Sequence, residues 1–397
     1  MAQSRTEPGF CYIPYAPVTR SVEAAWLRDA VAVPVSVQQS APTLNVRDQA
    51  QLPALDVLLS TARAIAAESV VVEGIGGFLW AALLRQVGFA GAVIVIPYVN
   101  PTSWYDISCI AAYRPFARPD DRILVGSSPS ARILRSLGVD ARVCEVFGVD
   151  SELFRPAVDA ASVLDRLGIP RGRLLLFAGR GQQDKDLYRL LRVALKAQLL
   201  FDDLQIVFCL RTIDDTYIAP IEKLRRQGVY VLRDPSRRIL AHLYACADVF
   251  VTAATSPFET FGRALAEALA CGTPVVAPRF DGFPEVLAQP GTALAALDGV
   301  EASEEQLLLA VYETLARPSA RSATADAAHE RFARSKTLAT AFAADPPPPP
   351  TGAVELVLPT AWPAEQTIVD LWRSGHARLS ALDDQLRASV RACLACR

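Results

Sequence analysis

The chain has 397 residues, 51% of them hydrophobic and 21% charged, with a formal net charge of −2. That length accommodates two or more domains with sizeable cores, and the composition is ordinary for a soluble globular enzyme. The near-neutral balance excludes a global basic field that would recruit nucleic acid or anionic lipid.

From the N-terminus, "MAQSRTEPGFCYIPYAPV" has no apolar h-region, so a cytoplasmic chain without a secretory signal is expected. The strand candidates that follow are "FCYIPY", "VAVPVSV", "SVVVEGI", "AVIVIPY", "RILVGSS" and "ARVCEVFGV", separated by helical patterns such as "LPALDVLLSTARAIAAE" and "PSARILRSLG". Short β-branched runs alternating with helices predict a parallel α/β architecture. The most apolar run, "VVVEGIGGFLWAALLRQ", contains Glu73 and breaks at Arg85, short of the ~20 apolar residues a membrane helix needs. Its Gly74, Gly76 and Gly77 echo a dinucleotide fingerprint. Leu79 stands where the third Gly or Ala belongs, and no acid ends the next strand, so a nicotinamide site is rejected. Ser127, Ser128 and Ser130 read as a helix cap, not a nucleophile, because no G-x-S-x-G is present and the first half holds no His.

"GVDSELFRP" breaks the rhythm near residue 150, after which it restarts with "RLLLFAGRG", "LQIVFCLR", "GVYVLRD", "DVFVTAA", "TPVVAPRF" and a weaker "TALAALDG". Two doubly wound domains facing a cleft are expected, 1–150 and 151–344, with ligands beyond the carboxyl ends of the strands. Residues 302–343 read as helical, "DPPPPP" as a stiff spacer, and residues 345–397 as a spacer plus an amphipathic helical extension without chemistry of its own. The eight Cys are scattered and read as reduced thiols. Cys393 and Cys396 make a lone C-x-x-C with no second pair, so no metal site is expected.

The densest chemistry lies in "SPFETFGRALAEALACGTPVVAP". Glu259 falls in a loop before a helix that ends at Gly272, and Glu267 about two turns into it. Eight residues at helical rise span ~12 Å. The N–H groups of the helix start lie between the two acids, and Gly262 leaves room for phosphate. A nucleotide sugar has the matching shape, a diphosphate between two polyols, and carboxylates accept hydrogen bonds from paired hydroxyls. The plainer alternative is an i,i+4 ion pair between Arg263 and Glu267 with Glu259 solvated. In "LLLFAGRGQQDKDLYRLL", Arg180 in a Gly-rich turn and Lys185 at the next helix entry are candidates to neutralise the diphosphate, the alternative being a solvated loop. Asp184 and Asp186 of "DKD" read as helix-capping acids in the first turn, not metal ligands.

The segment "ADVFVTAATSPFETFGRALAEALACGTPVVAPRFDGFPEVL" resembles family 4 of the GT-B glycosyltransferases, the retaining group 1 proteins. Their E-x7-E motif maps onto Glu259 and Glu267, their G-R-x4-K onto Gly179, Arg180 and Lys185, and "GVDSELFRP" resembles their interdomain passage. The resemblance is specific over roughly residues 122–290. It implies two Rossmann-like domains, an N-terminal acceptor side and a C-terminal side that holds a nucleotide-diphosphate sugar. It also implies retaining, metal-independent hexosyl transfer to an acceptor hydroxyl. Carried over, Arg180 and Lys185 stabilise the leaving diphosphate and Glu259 holds donor-sugar hydroxyls. The Gly262–Arg263 helix start meets phosphate and Glu267 grips the ribose, with Gly179, Gly181, Thr260 and Phe261 as further donor-binding candidates. No cofactor is implied beyond the donor.

The N-terminal half departs from the family. A Gly-Gly loop should follow the first strand, where "IPYAPVTRSVEAAW" stands, and "IPYVNPTSWYD" replaces a common His. Phe147 replaces an Asn, and Asp281 a Gly in "FDGFPEVL". Tyr98, Asn100, Trp104 and Tyr105 are the acceptor-side candidates, for stacking at a strand's carboxyl end, with loop packing as the alternative. Residues 1–150 carry a net charge of −1, which favours a soluble small-molecule, natural-product or glycan acceptor over a membrane lipid. Two other readings stay open: a GT-B-fold partner or scaffold that binds nucleotide sugar without transfer, and a nucleotide-sugar epimerase of similar fold.

Overall fold

A computed structural model describes residues 9–13, 35–37, 67–144, 148–157, 161–317, 320–333, 336–337 and 377–395. Two compact units divide the chain: residues 1–146 with 338–393, and residues 147–337 with 394–397. The expected "IPYAPVTRSVEAAW" loop beyond Ile13, Phe147 and the "DPPPPP" spacer lie outside the described residues.

The first unit holds a six-stranded parallel sheet in the order β2-β1-β3-β4-β5-β6. Its strands are β1 (Gly9–Ile13), β2 (Val35–Val37), β3 (Ala67–Glu73), β4 (Ala92–Ile96), β5 (Arg122–Val125) and β6 (Ala141–Val143). Val70, Val71 and Val72 are fully buried, and Val93 to Ile96 nearly so. Such unbroken apolar runs are what a parallel sheet covered on both faces requires. Helix α1 (Gly77–Gln86) follows β3 closely. A Cβ on Gly77 would sit 3.2 Å from Val95 and 3.3 Å from Val72, so glycine sets that approach. Helix α2 (Trp104–Tyr113) starts with a capping box, in which Ser103 Oγ accepts from the Asp106 N–H and the Asp106 carboxylate accepts from the Ser103 N–H. Helix α3 (Ser128–Ser136) is capped by Ser127, whose hydroxyl accepts from the Ser130 N–H. Buried Arg85 pairs with Asp121, which also accepts from the Tyr113 hydroxyl at 2.8 Å. The helical pattern at 52–68 lies mostly outside the described residues. Its last two, Ala67 and Glu68, are instead the start of β3, where β-branched neighbours favour extension.

The second unit repeats the plan with the order β12-β11-β10-β7-β8-β9. The strands are β7 (Leu174–Arg180), β8 (Gln205–Arg211), β9 (Val229–Arg233), β10 (Val249–Val251), β11 (Val275–Pro278) and β12 (Thr292–Ala295). Helix α4 (Ala161–Leu167) precedes β7, and α5 (Leu187–Gln198), α6 (Asp215–Glu222), α7 (Arg237–Cys246), α8 (Arg263–Ala270) and the short α9 (Phe283–Val286) lie between the successive strands. Every strand pair in this sheet is parallel, and apolar clusters cover both of its faces. The weak "TALAALDG" pattern splits: β12 takes its first four residues, and Leu297–Asp298 pairs antiparallel with Glu301–Ala302 as β13 and β14. The helical stretch after residue 302 resolves into α10 (Glu304–Ala316) and α11 (Arg321–Phe332). The described part of the C-terminal extension is helix α12 (Ala377–Leu394), counted through Cys393 with the first unit instead of standing apart. There the Asp383 carboxylate accepts from the Trp104 N–H at 2.6 Å.

Candidate functional site

In the second unit β7 is the first strand. Strands β8 and β9 extend the sheet to one side, and β10, β11 and β12 to the other. The winding direction therefore reverses between β7 and β10, and in such sheets the ligand crevice opens at the carboxyl ends of those two strands. Arg180 is the last residue of β7, and Glu259 and Gly262 lie in the loop after β10. The two motifs read separately in the sequence thus leave the sheet at one edge.

Arg180 and Lys185 bracket a tight turn. A Cβ on Gly179 would meet the Phe177 ring at 2.9 Å, and one on Gly181 would meet Ile213 at 3.2 Å. Gly181 donates its N–H to the Arg211 carbonyl at 2.9 Å, which ties the turn to β8. Residues Gln183–Lys185 form one 3-10 turn, and the chain then passes through Asp186 at φ 47° into α5. Asp186 caps that helix by accepting from the Arg189 N–H, as expected of it. Asp184 does not cap. It lies in the 3-10 turn and accepts from Arg180, whose other terminal nitrogen bonds Gln182 at 3.0 Å. The Arg180 guanidinium also lies 5.9 Å from the centre of the Phe258 ring.

Lys185 is 9% exposed, and its ammonium pairs with the Glu259 carboxylate. Burial pushes the Lys185 pKa down to about 8, with Asp184 opposing the drop and Arg180 adding to it. Glu259 is therefore not a solvated loop acid: its side chain is 15% exposed and carries this ion pair.

The glycine before α8 is required twice over. Gly262 has φ 79°, and a Cβ there would meet the Phe283 ring at 2.9 Å. Gly262 is the N-cap, so no side chain caps this helix, and its first turn carries no acid. The N-terminal end of a helix directs its amides back toward the preceding chain, here the loop that bears Glu259. Thr260 and Phe261 are buried, Phe261 against Phe332 with ring centres 5.7 Å apart. Helix α8 begins at Arg263, so Glu267 stands about one turn in, not two. The ~12 Å helical span does not apply either, because residues 259–262 are not helical.

Glu267 is 5% exposed and receives Arg237 of α7 at 3.2 Å. Burial raises its pKa, opposed by Arg237 and then Arg263. An ion-pair partner of Glu267 thus comes from a neighbouring helix, with Arg263 adding to it electrostatically. Arg237 was not singled out from sequence. Its signal is its place as the first residue of α7, just after the cap Ser236. Asp281, at φ 47°, is buried and donates its N–H to the Leu394 carbonyl at 2.9 Å. No cluster of three or more His, Cys, Asp or Glu suited to a metal occurs among the described residues, and no described helix is long and apolar enough to cross a membrane.

In the first unit, the acceptor-side candidates follow β4. Trp104 is 4% exposed and Asn100 1%, so neither presents a face on which a ligand stacks. Tyr98, at φ 60°, and Tyr105 are half-buried and keep that option.

Residues 165–330 match the protein family described as "Glycosyl transferases group 1". The alpha-maltose-1-phosphate synthase of Mycolicibacterium smegmatis is 33% identical over 170 residues, 40% of this chain and 42% of that protein. A D-inositol 3-phosphate glycosyltransferase of Mycolicibacterium gilvum is 28% identical over 285 residues, 68% of this chain and 55% of that protein. The chain therefore spans only about half the length of the curated relatives it matches. Among solved structures, sucrose-phosphate synthase from Thermosynechococcus elongatus superposes with a TM-score of 0.65 at 16% identity, covering 83% of this chain and 96% of that one. HepE of Anabaena, in complex with UDP and glucose, gives 0.65 at 15% identity, covering 83% and 97%. The fold is GT-B, with two Rossmann-like domains.

Proposed function

We propose that this chain, a group 1 glycosyl transferase over residues 165–330, moves a sugar from a nucleotide-diphosphate sugar to an acceptor hydroxyl with retention at the anomeric carbon. The observation that carries the reading is the meeting of Arg180, Lys185 and Glu259 at the carboxyl ends of β7 and β10. Transfer breaks the bond from the anomeric carbon to the diphosphate oxygen, and the electron pair leaves with the phosphate. The acceptor oxygen bonds that carbon, and its proton passes to the departing phosphate. Negative charge grows on the leaving group, so a guanidinium and an ammonium aimed there stabilise the transition state more than the bound substrate. The amide-rich start of α8 adds to that stabilisation.

Glu259 holds hydroxyls of the donor sugar, and its pair with Lys185 fixes the sugar-binding carboxylate beside the phosphate-binding cation. Glu267, steadied by Arg237, grips the ribose hydroxyls. With two cations serving the diphosphate, the reaction needs no divalent metal, and chelator should leave turnover unchanged. The relatives' names, a maltose-1-phosphate synthase and an inositol 3-phosphate glycosyltransferase, favour a small hydroxylated acceptor.

The neighbour solved with UDP and glucose makes UDP the first nucleotide to test. Calorimetric titration with UDP, GDP, ADP and dTDP, followed by product analysis with the matching nucleotide sugars, tests the reading. Product on an acceptor, with the anomeric configuration kept, supports it. Tight binding without turnover on any acceptor favours a non-catalytic binding partner, and an isomerised donor without acceptor favours an epimerase. A protein that binds none of the four nucleotides refutes the donor site.

A further inference from the structure

The sheet of the first unit has a reversal of its own. Strand β1 comes first, β2 lies to one side, and β3 to β6 extend to the other, so the winding changes direction between β1 and β3. The crevice expected at such a point opens at the carboxyl ends of β1 and β3. The last residue of β3 is Glu73.

Glu73 is 7% exposed. A carboxylate that buried needs a reason, because removing its charge from water is costly. Most other buried charged groups among the described residues have a structural or donor-site explanation. Arg85 pairs with Asp121 and bonds the Phe89 and Gly91 carbonyls. Asp106 closes the capping box of α2. Lys185 and Glu267 belong to the candidate donor site. Glu73 sits where the topology opens a ligand crevice, as Arg180 does in the second unit.

Its surroundings are built with unusual backbone. Tyr98, in the loop after the neighbouring β4, donates its hydroxyl to the Glu73 carboxylate. Tyr98 also has φ 60°, a conformation disfavoured for a bulky side chain and concentrated at functional sites. Gly74 turns at φ 76° and donates its N–H to the Ile96 carbonyl at 2.8 Å, which locks the ends of β3 and β4 together. The Tyr105 hydroxyl lies 3.5 Å from where a Gly76 Cβ would be, so two phenols flank the turn that carries Glu73.

We propose that Glu73 is the acceptor-recognising carboxylate of the first unit, taking hydroxyls of a neutral sugar or cyclitol ring, with Tyr98 as its positioning residue. A carboxylate accepts from paired hydroxyls and repels phosphate, so the part of the acceptor that meets Glu73 carries hydroxyls, and any phosphate lies elsewhere on it. This proposal rests on the glycosyl-transfer reading, but the binding it describes is separable from donor binding.

Glucose and myo-inositol serve as probes against the full chain, read by saturation-transfer NMR with and without UDP, while calorimetry follows UDP itself. The wild type should give a saturable signal with at least one polyol. Glu73→Ala should weaken it tenfold or more, with UDP affinity within twofold of wild type. Glu73→Gln keeps the volume and one accepting oxygen, so it should weaken the polyol less, about threefold, which guards against misfolding of the alanine variant. Tyr98→Phe should raise the acceptor KM severalfold with little change in kcat, a split that a purely structural role would not give. If the wild type fails to bind UDP but binds polyol through Glu73, the donor reading falls while the polyol site at Glu73 stands. Equal polyol signals from wild type and Glu73→Ala overturn it. So does a wild type that binds neither polyol under either condition, or a fall in UDP affinity that parallels the loss of polyol.

Discussion

Lys185 and Glu259 explain each other. Neither a buried ammonium nor a nearly buried carboxylate is stable alone, and each supplies the other's counter-charge. The sign of the Lys185 shift leads to a pH test. With its pKa lowered to about 8, the side chain is a cation below that pH and loses its proton as pH rises through it. If that cation serves the leaving diphosphate, kcat/KM should be flat below pH 8 and fall about tenfold per unit above it. Lys185→Arg, which stays charged, should remove that limb, and a profile flat to pH 10 in the wild type would count against the role. Arg180 is the more exposed of the two cations and is held by Asp184 and Gln182. Arg180→Ala should lower kcat about 100-fold while leaving the UDP dissociation constant within a few-fold, the pattern of a group used mainly in the transition state. For Glu267, the loss of a charged acceptor to the ribose is worth about 1.5–3 kcal/mol, so Glu267→Gln should weaken UDP roughly tenfold to a hundredfold by calorimetry. Unchanged affinity would remove Glu267 from the nucleotide site.

At the scale of elements, helix α8 and the turn before it matter most. Gly262→Ala would place a side chain in the left-handed region and drive its Cβ into the Phe283 ring. The two effects together should cost about 2 kcal/mol or more in chemical denaturation, and UDP binding should fall with them because the helix start shifts. A variant as stable as wild type would mean that Phe283 moves aside freely. The strands of both sheets were legible because buried parallel strands write themselves as β-branched runs, as in "SVVVEGI" and "LLLFAGRG". Boundaries were less so. The helical spacing of 52–68 runs without a stop signal into Ala67 and Glu68, where pairing with β1 decides for strand. The start of α8 is hard to place from spacing, because Phe261 fits the apolar helical pattern while Gly262 alone marks the break. Glu73 was hidden by its own neighbours. The three glycines around it drew attention to a dinucleotide motif, and only the strand order places its carboxylate at a reversal point. The pairs Lys185–Glu259 and Arg237–Glu267 were equally out of reach, since each joins separate elements that meet only once the strand order is known.

Across the whole molecule, the same plan appears twice, a parallel six-stranded sheet with its functional candidates at the carboxyl edge where the winding reverses. The two motifs that resemble the family lie in the second unit, while the departures at the Gly-Gly loop and the common His lie in the first, so donor handling should be ordinary and acceptor choice particular to this chain. On the proposed reading, a pyrophosphate lodges between the start of α8 and the cations of the turn after β7. One measurement reaches it most directly: calorimetric titration of UDP into wild type and the Arg180→Ala/Lys185→Ala double variant, with uridine as the phosphate-free control. UDP should bind the wild type far more tightly than uridine does, and the double variant should lose most of that difference while binding uridine as before. A double variant that keeps the full preference for UDP over uridine would contradict it.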